Sequence, residues 1–125
     1  MPGYSFEDLD VYKSAREFRT KIFVPIKKLP PDEKYNLMSQ MRRAATSLTN
    51  NIAEGHGRYH YQENIQFLRQ ARGSLEELID DIIICLDESY PPEAELKALK
   101  AEGYDLLRRL NGYRAYLRNR KADES

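Results

Sequence analysis

The chain has one cysteine, Cys85, set in the apolar run IIICL, so an internal disulfide is excluded and a reducing compartment is the natural setting. That run is also the longest apolar one, far short of the ~20 residues a membrane span requires. The acidic opening MPGYSFEDLD has none of the character of a signal peptide, so a cytoplasmic protein with no membrane partner is expected. An excess of one charge is missing too. Twenty basic side chains offset twenty acidic ones, and the overall balance lacks the positive surplus that marks many nucleic-acid-binding proteins. Strand-like alternation never extends beyond a few residues, and low complexity is confined to a short polar tail.

Four amphipathic segments separated by proline and glycine are present, and they predict an all-α protein with one domain spanning residues 1–125. The first helix is expected from about Glu7 to Lys28, burying Leu9, Tyr12, Ala15, Phe18, Ile22 and Ile26, with Pro25 kinking its last turn. Asp32 is placed to cap a second helix running to about Glu54, where Gly55 can close the end in the left-handed conformation. The third helix is expected from about Gln62 to Glu88 and to be the most buried of the four. Pro91 and Pro92 then break the chain, and a fourth helix from Pro92 to about Arg118 carries a heptad seam of Leu96, Leu99, Gly103, Leu106, Leu110, Tyr113 and Leu117. These lengths and short connections predict an antiparallel, up-down-up-down four-helix bundle, with Gly103 permitting close helix approach. A small helical chain of this kind often buries its remaining apolar surface by forming an oligomer.

Net neutrality conceals a segregation of charge. Glu76 to Glu95 holds eight acidic residues and no basic one, whereas Tyr104 to Lys121 holds six basic residues against Asp105 alone. The two segments are candidates to complement each other within one subunit or between neighbours in a head-to-tail ring.

FEDLDVYKSA near the start, QMRRAATSLTNNIAEGHGR in the second helix, FLRQARGSLEEL in the third and the proline-delimited basic fourth helix occur in that order. Together they resemble the bacterial four-helix-bundle proteins encoded in intervening sequences of 23S ribosomal RNA genes, over roughly Phe6 to Leu117. The resemblance implies a homopentameric ring with no established enzymatic activity. A related group, the accessory variability proteins of diversity-generating retroelements, shares the bundle and the pentamer and works with nucleic acid and a reverse transcriptase.

Candidate residues fall into two sets. Arg42, Arg43, Asn50, Asn51, Glu54, Gly55 and Gly73 form a structural motif: the polar members are expected to hydrogen-bond at the end of an apolar seam, and Gly73 with Ser74 to let another helix approach. The alternative for the polar members is a ligand or subunit contact. Arg108, Arg109, Arg114 and Arg118 are candidates for contacting a polyanion, and Arg58 and Tyr59, with His60 and Tyr61, could stack on unpaired bases while touching phosphate. The competing reading makes the turn a packed loop and the arginines assembly contacts.

Catalytic chemistry finds little support. Gly55 and Gly57 interrupt the register that would gather Glu54, His56, His60 and Glu63 around a metal, and GHGR lacks the lysine and Ser or Thr of a phosphate loop. Cys85 has no neighbouring base, and neither histidine follows an arginine at the four-to-six-residue spacing that some helical-bundle ribonucleases use. The expectation is a non-catalytic oligomer without metal or cofactor that binds RNA or a nucleoprotein, or else a protein-binding scaffold whose charges serve ring assembly only.

Overall fold

Apolar residues at three- and four-residue spacing give each segment one face that water disfavours, and burying these faces together is what assembles the protein. The computed structural model describes residues 5–124, so the first four residues of the acidic opening lie outside the described part. Four helices follow one another: α1 Asp10–Lys27, α2 Leu37–His56, α3 Tyr61–Asp87 and α4 Glu93–Glu124, with 3-10 turns at Phe6–Asp8 and Pro31–Glu33.

Neighbouring helices run antiparallel, as side-chain pairings show. On α1 and α2, Arg19 bonds Thr49 while Phe23 lies under Arg42. On α2 and α3, Ser47 meets Ser74 and Arg43 faces Glu77. Gly103 of α4 abuts Ile79 of α3, whereas Lys121 reaches back to Gln62. The circuit closes between α4 and α1, where Glu102 pairs with Lys21 and Arg109 with Ser14. Phe18, Ile22, Leu48, Leu68, Leu75 and Ile82 are among the fully buried side chains at the centre. Each contributes about 1.5–3 kcal/mol relative to exposure.

Gly103 has the packing role its place on the heptad predicts. A Cβ there would lie 3.0 Å from Ile79 Cγ1 and 3.5 Å from Phe18 Cζ, so the absent side chain allows α4 to sit against α3 and α1. Tyr113 is half-buried at the seam's edge, while Leu96, Leu99, Leu106, Leu110 and Leu117 are buried.

Several local expectations are corrected. Asp32 does not cap α2: it lies within the Pro31–Glu33 turn, whose carbonyls accept 3-10 bonds, and α2 starts only at Leu37. Asn36 occupies the capping position without a side-chain cap bond and accepts from Gln40 instead. Gly55 does not close α2 in a left-handed conformation, because the helix continues to His56 and ends at Gly57 with φ −76°. What Gly55 provides is space: a Cβ would fall 2.6 Å from Asn64 Oδ1 and 2.9 Å from Phe67 Cβ. Gly73 is the reverse case, exposed on α3 with nothing within 4 Å of a Cβ, so no helix approaches it in this chain. Pro91 and Pro92 are not what ends α3. Ser89 adopts the left-handed region at φ 58°, and the Tyr90 N–H bonds back to the Cys85 carbonyl. At the other terminus α4 extends to Glu124, beyond the expected Arg118.

Candidate nucleic-acid interface

At one end of the bundle, the Gly57–His60 connection between α2 and α3 faces the last turns of α4. Between them lies an open cleft of about 700 Å³, lined by His56, Arg58, Tyr59, His60, Tyr61, Gln62, Asn64, Tyr113, Tyr116, Arg120 and Lys121, with Leu9 and Leu117 as apolar floor. The four-residue cluster Arg58 to Tyr61 is therefore part of a larger aromatic and cationic site, completed by α4 residues some sixty positions away.

Its components are held in different ways. Arg58 lies 4.7 Å from the centre of the Phe67 ring and 4.0 Å from Glu54 across one helical turn, which fixes the guanidinium at the rim. Tyr59 is 94% exposed and its ring stands perpendicular to that of His60, with ring centres 4.9 Å apart. Tyr113 and Tyr116 have nearly parallel rings, 6.2 Å between centres and 12° between planes, and Tyr116 is 55% exposed. The neighbouring Tyr61 side chain raises the pKa of Arg120. Lys121 Nζ donates to Gln62 Oε1.

The four arginines expected to act as one set are divided. Arg108 and Arg109 bond Asp105 at 3.1 and 3.2 Å, and Arg109 also donates to Ser14 Oγ, so Arg109 faces α1 and both are partly neutralised. Arg118 is exposed, but Arg114 is turned inward. It is only 5% exposed, its Nη1 donates to Asn111 Oδ1 at 3.4 Å, and its buried Nε has no hydrogen-bond partner among the described residues. Burial lowers its pKa first, and the nearby Arg118, Arg72 and Arg69 lower it further. Of the four arginines offered for polyanion contact, Arg114 is the buried one, because its position on the α3-facing side of α4 carries the stem into the core. Arg69 and Arg72 were not singled out in the sequence. The signal was their spacing on α3 set against Arg114 and Arg118, which becomes readable only once the antiparallel register is fixed.

The acidic segment lies at the other end of α3. With α3 and α4 antiparallel, the basic run of α4 flanks the first half of α3 and leaves the Glu76–Asp87 stretch at a distance, so the two segments do not complement each other within one subunit. Asp81 in that stretch is buried, with Oδ2 unpartnered among the described residues. Burial pushes its pKa up to about 6, with Glu77 and Asp80 adding to the effect and Arg43 opposing it.

The α2 motif lies along the helix side and does not end an apolar seam. Arg42, Arg43, Asn50, Asn51 and Glu54 line a shallow polar groove with Thr46 and Ser47. Asn50 and Glu54 are exposed, and Asn51 Nδ2 donates to the Ser47 carbonyl and hydroxyl at 2.9 and 3.0 Å. Ser74, expected only as a small spacer, donates to Ser47 Oγ at 2.9 Å and so ties α3 to α2. Arg43 lies 3.9 Å from Glu77, an ion pair across the same helices.

Burial pushes the Cys85 thiol up to about 11, leaving it a packing residue with negligible thiolate near neutral pH. Among the described residues, no group of three His, Cys, Asp or Glu side chains is placed to hold a metal ion, and no helix is long and apolar enough to cross a membrane.

No curated protein matches the chain. A family model does, over residues 7–112, from the turn preceding α1 to the middle of α4. The α4 wall of the cleft, from Tyr113 onward, follows the matched segment. With that match covering most of its length, the four-helix chain belongs to the 23S rRNA-intervening sequence protein family.

Proposed function

We propose that this protein is a non-catalytic homo-oligomer that binds RNA, free or within a nucleoprotein, through the cationic end of its bundle. The observation that carries this reading is the end cleft, where Arg58, Arg120 and Lys121 surround Tyr59, Tyr61, Tyr113 and Tyr116. Cations that attract phosphate beside rings that accept bases are the composition RNA sites require. The family's name ties it to ribosomal RNA, which supports RNA as the ligand and the cytoplasm as the setting. Net neutrality is compatible with such binding because the positive charge is collected at one end. A pentameric ring, implied by the resemblance, would repeat that end five times and add modest contacts through multivalency.

Arg118, Arg58 and Tyr59 are the candidates nearest the cleft, Arg114 contributes charge from beneath, and Arg108 and Arg109 are secondary because Asp105 offsets them. Protein purified in low salt should retain RNA and release it as salt rises. The double variant Arg58→Glu, Arg120→Glu should lose that retention while keeping its helical signal and its mass in light scattering.

A second reading, a protein-binding scaffold whose charged segments serve ring assembly only, draws on the separation of the acidic and basic segments. Their charges are left for a neighbouring subunit to meet. If charge reversal at Arg109 and Arg118 dissolves the oligomer, and the intact wild-type ring carries no RNA, the scaffold reading replaces the first.

A further inference from the structure

Two facts about the cationic end bear on the form of nucleic acid it takes. Its aromatic surface is concave and exposed: Tyr59 stands 94% accessible at one rim and Tyr116 55% accessible at the other, around a cleft of about 700 Å³. That volume is typical of a small-molecule pocket and suits one or two nucleotides. In a duplex the bases are stacked against each other, and their faces are closed to tyrosine. The cations, moreover, lie outside the rings. Arg58 is held at the rim over Phe67, Arg120 lines the cleft with Tyr61, and beyond them Arg118 and Arg69 are exposed on α4 and α3.

We infer that the cleft receives unpaired nucleotides of a single strand, their bases stacking on Tyr59 and Tyr116, while the adjoining phosphates run out over Arg118 and Arg69 between α3 and α4. This rests on the RNA-binding reading and narrows it, since a cationic surface alone would take either form. Arg114 lies beneath that path, charged and with an unpartnered Nε, and it strengthens the field without needing to touch the strand. Bases thus supply the selectivity for single strands, and phosphates supply the salt dependence.

The two contributions separate experimentally because a duplex carries twice the phosphates of its single strand. Electrostatics alone would favour the duplex; stacking favours the single strand. Binding of the full-length oligomer should be measured by fluorescence anisotropy with a labelled 12-nucleotide RNA, the same RNA annealed to its complement, and inorganic polyphosphate as competitor. The single strand is expected to bind at least tenfold more tightly than the duplex, with polyphosphate a poor competitor. Tyr59→Ala and Tyr116→Ala should each weaken it about tenfold. Tyr59→Phe should restore the affinity, and the slope against salt should not change in any of the three. Arg118→Glu should reduce that slope, and Lys97→Glu, at the far end, should change nothing. Tyr59 is so exposed that its removal leaves no cavity, and circular dichroism checks that the helices persist. Duplex binding equal to or tighter than single-strand binding, or tyrosine variants without effect, overturns the inference while RNA binding stands. Failure of both RNAs to bind in low salt overturns the broader reading with it.

Discussion

Near the end of α3, Asp81 is buried to 3% exposure, and in the second half of α4, towards the opposite pole of the bundle, Arg114 is buried to 5%. Each lies among its own sign. Asp81 has Glu77 and Asp80 beside it with Arg43 in opposition, whereas Arg114 has Arg118, Arg72 and Arg69. The chemistry then diverges, because a carboxyl can discharge itself by taking a proton and a guanidinium cannot. Asp81, with its pKa pushed up to about 6, is close to neutral in mildly acidic solution. Arg114 remains charged at any ordinary pH, so only an anion can relieve it. One pole therefore settles its buried charge internally, and the other leaves it available to something outside the chain.

The largest effect is expected from breaking the basic pole mechanically. Gly55→Ala places a Cβ within 2.6 Å of Asn64 Oδ1 and 2.9 Å of Phe67 Cβ, so α2 and α3 must part where they form the cleft wall. Overpacking of this kind costs about 3 kcal/mol, read as a lower urea midpoint with an unchanged slope. A midpoint equal to wild type would mean that the wall yields, and that the cleft's shape is not fixed by this contact.

The acidic pole is probed by pH. Because the folded pKa of Asp81 is raised from 3.8 to about 6, the folded state holds the proton more tightly than the unfolded chain. The stability it brings is fully present below pH 3.8 and is lost as pH rises through about 6, a change of order 2 to 3 kcal/mol. Other carboxylates contribute with the opposite slope, so the comparison is with Asp81→Asn, which should be more stable than wild type at pH 7 and lose that advantage by pH 4. Parallel stability curves for the two proteins would show that Asp81 is not titrating as its burial requires.

Arg114→Met is the matching test at the basic pole. An unbranched apolar side chain retains much of the buried stem and removes a charge with no acidic partner among the described residues, so stability in low salt should rise by about 1 to 2 kcal/mol. The gain should be independent of pH between 5 and 8, in contrast to Asp81→Asn. A loss of stability would mean that the bond to Asn111 outweighs the burial of the charge.

The two poles were legible to different depths. The helices, their order and the close approach at Gly103 follow from a periodicity that tertiary contacts did not override. Capping was less readable: Asp32 has the right residue type for an N-cap, but Pro30 and Pro31 commit it to a 3-10 turn. Among the candidate residues, Arg58 and Tyr59 emerged from local composition, since the second turn brings them together by itself. Tyr113, Tyr116 and Arg120 complete the same cleft from α4 and have no local signal; only the antiparallel return of the chain puts them there. Arg114 shows the limit of reasoning by heptad, because a residue beside a seam can bury its long stem as readily as expose it.

Gly73→Ala carries the smallest effect and tests whether α3 is as free between the poles as a single subunit shows it. The sequence places Gly73 beside Ser74, and only Ser74 faces α2; a Cβ at 73 meets nothing within 4 Å. In an exposed helix interior, alanine should then stabilise the protein by about 0.5 to 1 kcal/mol through backbone entropy alone. If, in the proposed oligomer, a neighbouring subunit packs a helix against this face, the new methyl group meets a backbone or side chain, and the sign reverses. Urea denaturation alongside light scattering distinguishes the cases. A stabilised protein of unchanged mass leaves the Gly73 face to solvent, whereas a smaller mass or a lower midpoint makes it a subunit contact and locates an interface on α3 between the two poles.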